Sequence, residues 1–198
     1  MNIGVLALQG AVAPHREKIS HLGADMTEVR LPADLEGLDG LILPGGESTT
    51  LLNLMAAYGL EESIRLFGRF RPVWGICAGA ILLAQRVENP TQRSLGLLPA
   101  TLQRNAYGRQ NESFIEMLPL RLPGRETALV EGVFIRAPRI ADIDSGGEVL
   151  ARRGEEPVAV QFGHVLATTF HPELAADDHL HGYFLELCRK AGTLRAAG

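Results

Sequence analysis

Cys77 stands between two glycines in Gly75-Ile76-Cys77-Ala78-Gly79, directly after the apolar run Pro72-Val73-Trp74. A turn of the form G-x-nucleophile-x-G joins a buried strand to a helix through one strained residue, and side chains on its flanks would clash, so both flanks need glycine. The strain exposes the sulfur. The start of the following helix, near Ala78 and Gly79, presents backbone N–H groups and the positive end of a helix dipole, surroundings that favour a thiolate. An isolated cysteine is more commonly a small buried apolar residue, so a nucleophile reading requires a partner.

Near the end of the chain, Val165-Leu166-Ala167-Thr168-Thr169-Phe170 reads as a buried strand running into His171-Pro172-Glu173. A thiol is mostly protonated at neutral pH and gains from a neighbouring imidazole as base; the imidazole gains from a carboxylate that fixes its tautomer and stabilises its charged form. Pro172 restricts the backbone between the two and biases His171 toward an extended conformation. Cys77, His171 and Glu173 therefore form a candidate triad for acyl transfer. A third element completes such a site. Asp39-Gly40-Leu41-Ile42-Leu43 reads as a buried strand ending in Pro44-Gly45-Gly46-Glu47-Ser48-Thr49-Thr50. Its glycines leave backbone N–H groups open, and together with the amide of Ala78 these would stabilise the oxyanion of a tetrahedral intermediate, where losing one donor costs about 2.7–4 kcal/mol. Ser48, Thr49 and Thr50 are equally candidates for capping the helix that follows, and a plain strand-to-helix turn would also use Gly-Gly.

These three blocks together resemble the class I (triad) glutamine amidotransferase family. Three further segments narrow the resemblance to its branch of glutaminase subunits of pyridoxal 5′-phosphate synthase, the PdxT branch. They are Ile3-Gly4-Val5-Leu6-Ala7-Leu8-Gln9-Gly10-Ala11-Val12, Arg104-Asn105-Ala106-Tyr107-Gly108-Arg109-Gln110 and Val133-Phe134-Ile135-Arg136-Ala137-Pro138. The blocks follow the family's order and spacing over nearly the whole chain. At Ile81 many amidotransferases carry a glutamine, and an apolar residue there suits this branch. The resemblance implies Cys77 as nucleophile, His171 as general base and acid, and Glu173 as the group orienting His171. It implies Gly46 and Ala78 as the oxyanion hole, and a glutamine site built from Gly46, Glu47, Ser48, Arg104, Ile135 and Arg136. That site must offer a cation to the α-carboxylate of glutamine and oxygens to its α-ammonium. It further implies that Gln9 and Gly10 couple the oxyanion hole to a partner, a PdxS-type synthase subunit that receives the ammonia, and that the chain uses no metal or organic cofactor.

The elements that must position these groups alternate. Strands near residues 2–8, 26–30, 40–43 and 72–76 are separated by helical stretches near 11–22, 48–58 and 60–69, the pattern of βαβ units. Shorter strands, several of them antiparallel, follow near 98–104, 114–121, 129–136, 148–153, 157–163 and 165–170, then a helix near 179–191 and a frayed tail from Thr193 to Gly198. The expected fold is a three-layer α/β structure with a mainly parallel central sheet, forming one glutaminase domain over residues 1–198. Gln9-Gly10, Gly45-Gly46 and Cys77 all fall at the carboxyl ends of strands, where ligands bind in open α/β sheets.

With 46% apolar residues, a net charge of −4 and no basic stripe, the chain has a core to bury and no nucleic-acid footprint. The apolar start is interrupted at Gln9 and Gly10 and lacks a basic leader, and no apolar run is long enough for a membrane span. Two cysteines do not make a disulfide scaffold, and a nucleophilic thiol must stay reduced, so a cytoplasmic location is expected. Cys188 recurs at helical spacing with Leu180, Tyr183, Phe184 and Leu187 and reads as packing. Asp177, Asp178, His179 and His181 read as a polar helix start in preference to a metal site. His15, His21 and His164 lack a partner motif.

Overall fold

The computed structural model describes residues 1–104 and 113–196. In chain order the elements are β1 (Asn2–Leu6), α1 (Ala13–His21), β2 (Asp25–Val29), β3 (Gly40–Leu43), α2 (Ser48–Ala57), α3 (Leu60–Phe70), β4 (Val73–Ile76) and α4 (Ala78–Leu83). They continue with β5 (Ala84–Glu88), β6 (Leu98–Gln103), β7 (Ser113–Leu120), β8 (Ala128–Ile135), β9 (Arg139–Ile143), β10 (Glu148–Arg153), β11 (Glu156–Phe162), β12 (Val165–Thr168) and α5 (His179–Ala196).

Nine strands make one sheet in the order β2-β1-β3-β4-β12-β11-β10-β7-β8. The first five run parallel, and the remaining four alternate in direction. The sequence explains the division. All four residues of β3, β4 and β12 are buried, as befits parallel strands covered on both faces, whereas β7 carries Ile115, Met117 and Pro119 on an exposed face. In the parallel half, side chains alternate between two cores. Leu41, Leu43 and Val73 pack with α2, α3 and α4, while Ile3, Val5, Ile42, Trp74 and Ile76 pack with α1 and α5. This gives the expected three layers. α3 shows how its own residues choose a face: Leu60, Ile64 and Gly68, four apart, are buried, and Glu61 and Glu62 occupy the first turn where the helix dipole favours anions.

Two features depart from the sequence reading. β5 and β9 flank β6 in a separate three-stranded sheet. Of β9 only Ile140 is buried, and β5 follows α4 with no breaker between Leu83 and Ala84, so neither carries an alternating pattern. The last helix continues to Ala196 instead of fraying after 191, because Thr193 to Ala196 contain no breaker and Gly192 alone does not stop a helix. Asn105 to Gln110 lie outside the described residues.

Candidate active site

Register brings the functional segments to one level. Leu43 pairs with Gly75, and Thr168 with Ile76, so β3, β4 and β12 end side by side. One residue on, the Cys77 N–H donates to the Thr168 carbonyl at 2.8 Å, extending the ladder to the elbow. Cys77 has φ 50° and ψ −104°, a conformation rare for a residue with a side chain. Close packing accounts for both flanking glycines. A Cβ on Gly75 would lie 2.6 Å from the Gly79 backbone, and one on Gly79 would lie 1.9 Å from the Leu43 carbonyl oxygen. α4 thus begins tight against β3, with Cys77 at its N-cap.

His171 follows β12, its N–H donating to the Val133 carbonyl at 2.8 Å. Its Nδ1 stands 2.7 Å from Glu173 Oε1, and the Glu173 side chain is wholly buried in the short 3-10 turn Pro172–Leu174. Nε2 is not engaged by that carboxylate, and Cys77 lines the same cavity as the imidazole. Burial alone would lower the His171 pKa; hydrogen bonds to Cys77 and Glu173 and their negative charges outweigh it and raise it. The imidazolium is accordingly the favoured form of His171. Cys77 Sγ also lies 3.9 Å from the Ile135 carbonyl oxygen. The ring of His171 rests on the bare α-carbon of Gly45.

Cys77 and His171 open into a cavity of about 290 Å³, near the lower end for small-molecule sites. Gln9, Gly10, Gly46, Glu47, Ser48, Ala78, Arg104, Ile135 and Arg136 line it, so every site residue named from sequence reaches it except Glu173, which sits behind His171. Ala11 and Pro138, both within segments already singled out, also contribute, and so does Ile81. Arg136 has φ 45°, which makes it the second strained non-glycine residue on the cavity wall after Cys77.

Glu47, rather than the hydroxyl residues after it, caps α2. Its carboxylate accepts from the Thr50 N–H at 2.8 Å and from the Thr49 and Thr50 hydroxyls, and these bonds lower its pKa against the cost of desolvation. A carboxylate accepts more strongly than a hydroxyl, and its longer arm reaches back to the third N–H. Arg104 Nη2 meets Glu47 at 3.2 Å and the Thr49 hydroxyl at 3.0 Å, so the cation is anchored at the cavity edge. Gln9 Oε1 accepts the Glu47 N–H at 3.0 Å and thereby ties the β1 loop to the Gly45-Gly46 turn.

The remaining polar residues have structural partners. Asp178 bonds Lys18 at 2.9 Å and His21 at 2.7 Å, Asp177 accepts the His179 N–H at 3.1 Å, and His164 meets the Gly68 carbonyl at 2.9 Å. Among the described residues no group of three or more His, Cys, Asp or Glu side chains is placed to hold a metal ion, and no helix is long and apolar enough to cross a membrane. Cys188, on α5, is buried in the core. Sequence reasoning missed the pairing of His15 with His181, whose ring nitrogens approach to 3.0 Å across 166 positions.

Comparison with known proteins finds relatives over nearly the full length of the chain. A model of the SNO glutamine amidotransferase family matches residues 5–190. The chain is 50% identical to "Pyridoxal 5'-phosphate synthase subunit PdxT" of Koribacter versatilis, over 98% of each chain. It is 45% identical to the protein of that name in Thermotoga maritima, covering 96% of this chain and all of the relative. A solved glutamine amidotransferase superposes with TM-score 0.87 at 48% identity over 94% of this chain and 98% of the other. A putative GMP synthase subunit from Thermoplasma acidophilum shares the fold with TM-score 0.73 at 18% identity, over 99% and 98% of the two chains.

Proposed function

This chain belongs to the SNO glutamine amidotransferase family, and we propose that it hydrolyses L-glutamine to L-glutamate and ammonia through a thioester on Cys77. The observation that carries the reading is the placement of His171 between Glu173 and Cys77 at the floor of the cavity, with Nδ1 held at 2.7 Å by the carboxylate. The glutamine side-chain carbonyl is directed toward the backbone amides of Gly46 and Ala78. Cys77 Sγ, its proton taken by His171, attacks the amide carbon, and the carbonyl electrons move onto the oxygen, where those amides stabilise the charge. As the C–N bond breaks, His171 gives its Nε2 proton to the departing nitrogen, and ammonia leaves. Neutral His171 then takes a proton from water, whose oxygen attacks the thioester; the C–S bond breaks and glutamate is released.

Glu173 holds the His171 tautomer and stabilises its charged form. The strained φ of Cys77 sets the sulfur at the cavity floor without moving the strand. Arg104 and Arg136 supply cations for the α-carboxylate of glutamine, and Glu47 with the nearby backbone carbonyls supplies acceptors for its α-ammonium. Residues 1–198 act as one glutaminase domain.

Ammonia released into water would be protonated and diluted, so its value depends on a receiver. The relatives' name, a subunit of pyridoxal 5′-phosphate synthase, supports a PdxS-type synthase subunit in that role. That partner combines the ammonia with a pentose phosphate and a triose phosphate to build pyridoxal phosphate, and this chain needs no cofactor for its own step. Incubating the purified chain with L-glutamine, with and without the synthase subunit, tests the reading. Glutamate should accumulate at least in the mixture; none in either incubation overturns it.

A further inference from the structure

Behind the triad lies a buried polar pair that the proposed chemistry does not use. His15, on α1, is fully buried, and its Nδ1 stands 3.0 Å from Nε2 of His181 on α5. The Trp74 indole meets both imidazoles edge to face, its centroid 4.9 Å from His181 and 6.5 Å from His15, and its N–H donates to the Thr168 hydroxyl at 3.3 Å. The rings are therefore fixed between two helices and the sheet. α1 also packs on the turn that carries Glu173, and Lys18, one turn further along, donates to the carbonyls of Ala175 and Asp177 at 2.7 and 2.8 Å. Three buried polar atoms here lack a hydrogen-bond partner among the described residues: Glu173 Oε2, His15 Nε2 and His181 Nδ1.

An anionic oxygen buried without a donor is costly, more so than a bare imidazole nitrogen. One proton lies between His15 and His181, and it has two places. If His15 Nδ1 carries it, neutral His15 presents a bare lone pair at Nε2, which repels a carboxylate. If His181 Nε2 carries it, His15 holds its own proton on Nε2 and becomes a donor suited to an anion. Burial lowers the His15 pKa to about 4 against the opposing pull of Glu173, so the ring is neutral at pH 7 and its tautomer is what matters. The Glu173 charge selects the donor form.

We propose that His15 is a positioning residue for Glu173: its Nε2–H, set in that tautomer by His181, donates toward Oε2 across one bridging water and holds the carboxylate turned to His171. No proton is transferred in this arrangement. The assignment rests on the triad reading above.

The test measures glutamate formation in the complex with the synthase subunit for His15→Leu and His15→Gln, each alone and combined with Glu173→Ala. His15→Leu should lower kcat about tenfold at unchanged KM, the lower range for outer partners of site imidazoles. His15→Gln, whose amide keeps a donor in that place, should stay within about threefold. With Glu173→Ala already present, His15→Leu should cost nothing further, because the group it acts through is gone. An equal loss in both backgrounds, or no loss in the unmodified one, overturns the proposal. Nitrogen-15 NMR of the histidine side chains in the unmodified chain decides the matter should His15→Leu not fold. The expected result is His15 protonated on Nε2, and protonation on Nδ1 overturns the proposal. An unmodified complex that forms no glutamate would overturn the glutaminase reading instead, with the NMR result unaffected.

Discussion

Gly45→Ala should disable the site through a single methyl group. A Cβ at this position lies 2.3 Å from His171 Cε1, 3.0 Å from Nδ1 and 3.4 Å from Nε2. Carbon–carbon contact without strain begins about an ångström further out, at roughly 3.5 Å. His171 is 7% exposed and has the wholly buried Glu173 carboxylate at its Nδ1, so its ring has little room to retreat. A displacement of about 1 Å at a reacting group costs on the order of 100-fold. That corresponds to about 2.7 kcal/mol of transition-state stabilisation. Overpacking adds about 1–3 kcal/mol of lost stability. At about 2–4 °C per kcal/mol for a chain of this size, the melting temperature should fall by a few degrees while the protein stays folded at 25 °C. Steady-state glutamate formation and thermal unfolding, measured on one preparation, read both effects. Activity within twofold of the unmodified chain would refute the placement of the His171 ring or its part in the chemistry.

Further outcomes follow from the same geometry. Cys77→Ala should retain the fold and partner binding but form no glutamate, since the thioester needs sulfur; normal turnover would remove Cys77 from the chemistry. His171→Asn should stop turnover, whereas Glu173→Ala should lose less because orientation and charge stabilisation are only part of the base's work; unchanged rates in both would break the triad. Stability should fall between pH 6.5 and about 4. Burial depresses the folded pKa values of His15 and His181 to about 4 and about 3, so the unfolded chain binds more protons there, at about 1.4 kcal/mol per histidine per pH unit. His171 acts in the opposite sense, its stabilisation complete below pH 6.5 and lost toward its folded value of about 10. Denaturant melts at pH 7 and pH 5 should therefore differ more for the unmodified chain than for His15→Leu, and equal differences would contradict the assignment. Glutaminase activity should rise as synthase subunit is titrated, through Gln9 and the Gly45-Gly46 turn it holds. A coupling of about 3 kcal/mol suffices for roughly 150-fold, and a Gln9 variant that responds like the unmodified chain would sink this route.

The chemistry-bearing segments were legible because each sits on a strong local signal. The elbow needs glycine at both Gly75 and Gly79, and the close contacts with Gly79 and with the Leu43 carbonyl give the steric reason. The buried runs before Gly45 and Cys77 announced parallel strands, and their ends converge as the alternation of helices and strands implied; the run before His171 read as a buried strand, and only its pairing with β4 shows that it is parallel to them. Other features left no such mark. β5 and β9 gain their order from pairing with β6, a tertiary effect with no periodicity in either segment. Glu47 as helix cap was hidden by the three hydroxyl residues that follow it, each an equally good cap by type. The His15–His181 pair is a meeting of two helices from opposite ends of the chain, and nothing in either helix foretells the other.

The proposed chemistry requires a bond between Cys77 and the side-chain amide carbon of glutamine. The most direct measurement quenches the complex in acid during turnover and determines by mass spectrometry which peptide carries a γ-glutamyl group. The expected result is one such group on the peptide containing Cys77, absent from Cys77→Ala and lost on treatment with hydroxylamine. Glutamate formed at full rate with no modified Cys77 peptide, or with the group on another residue, would contradict it.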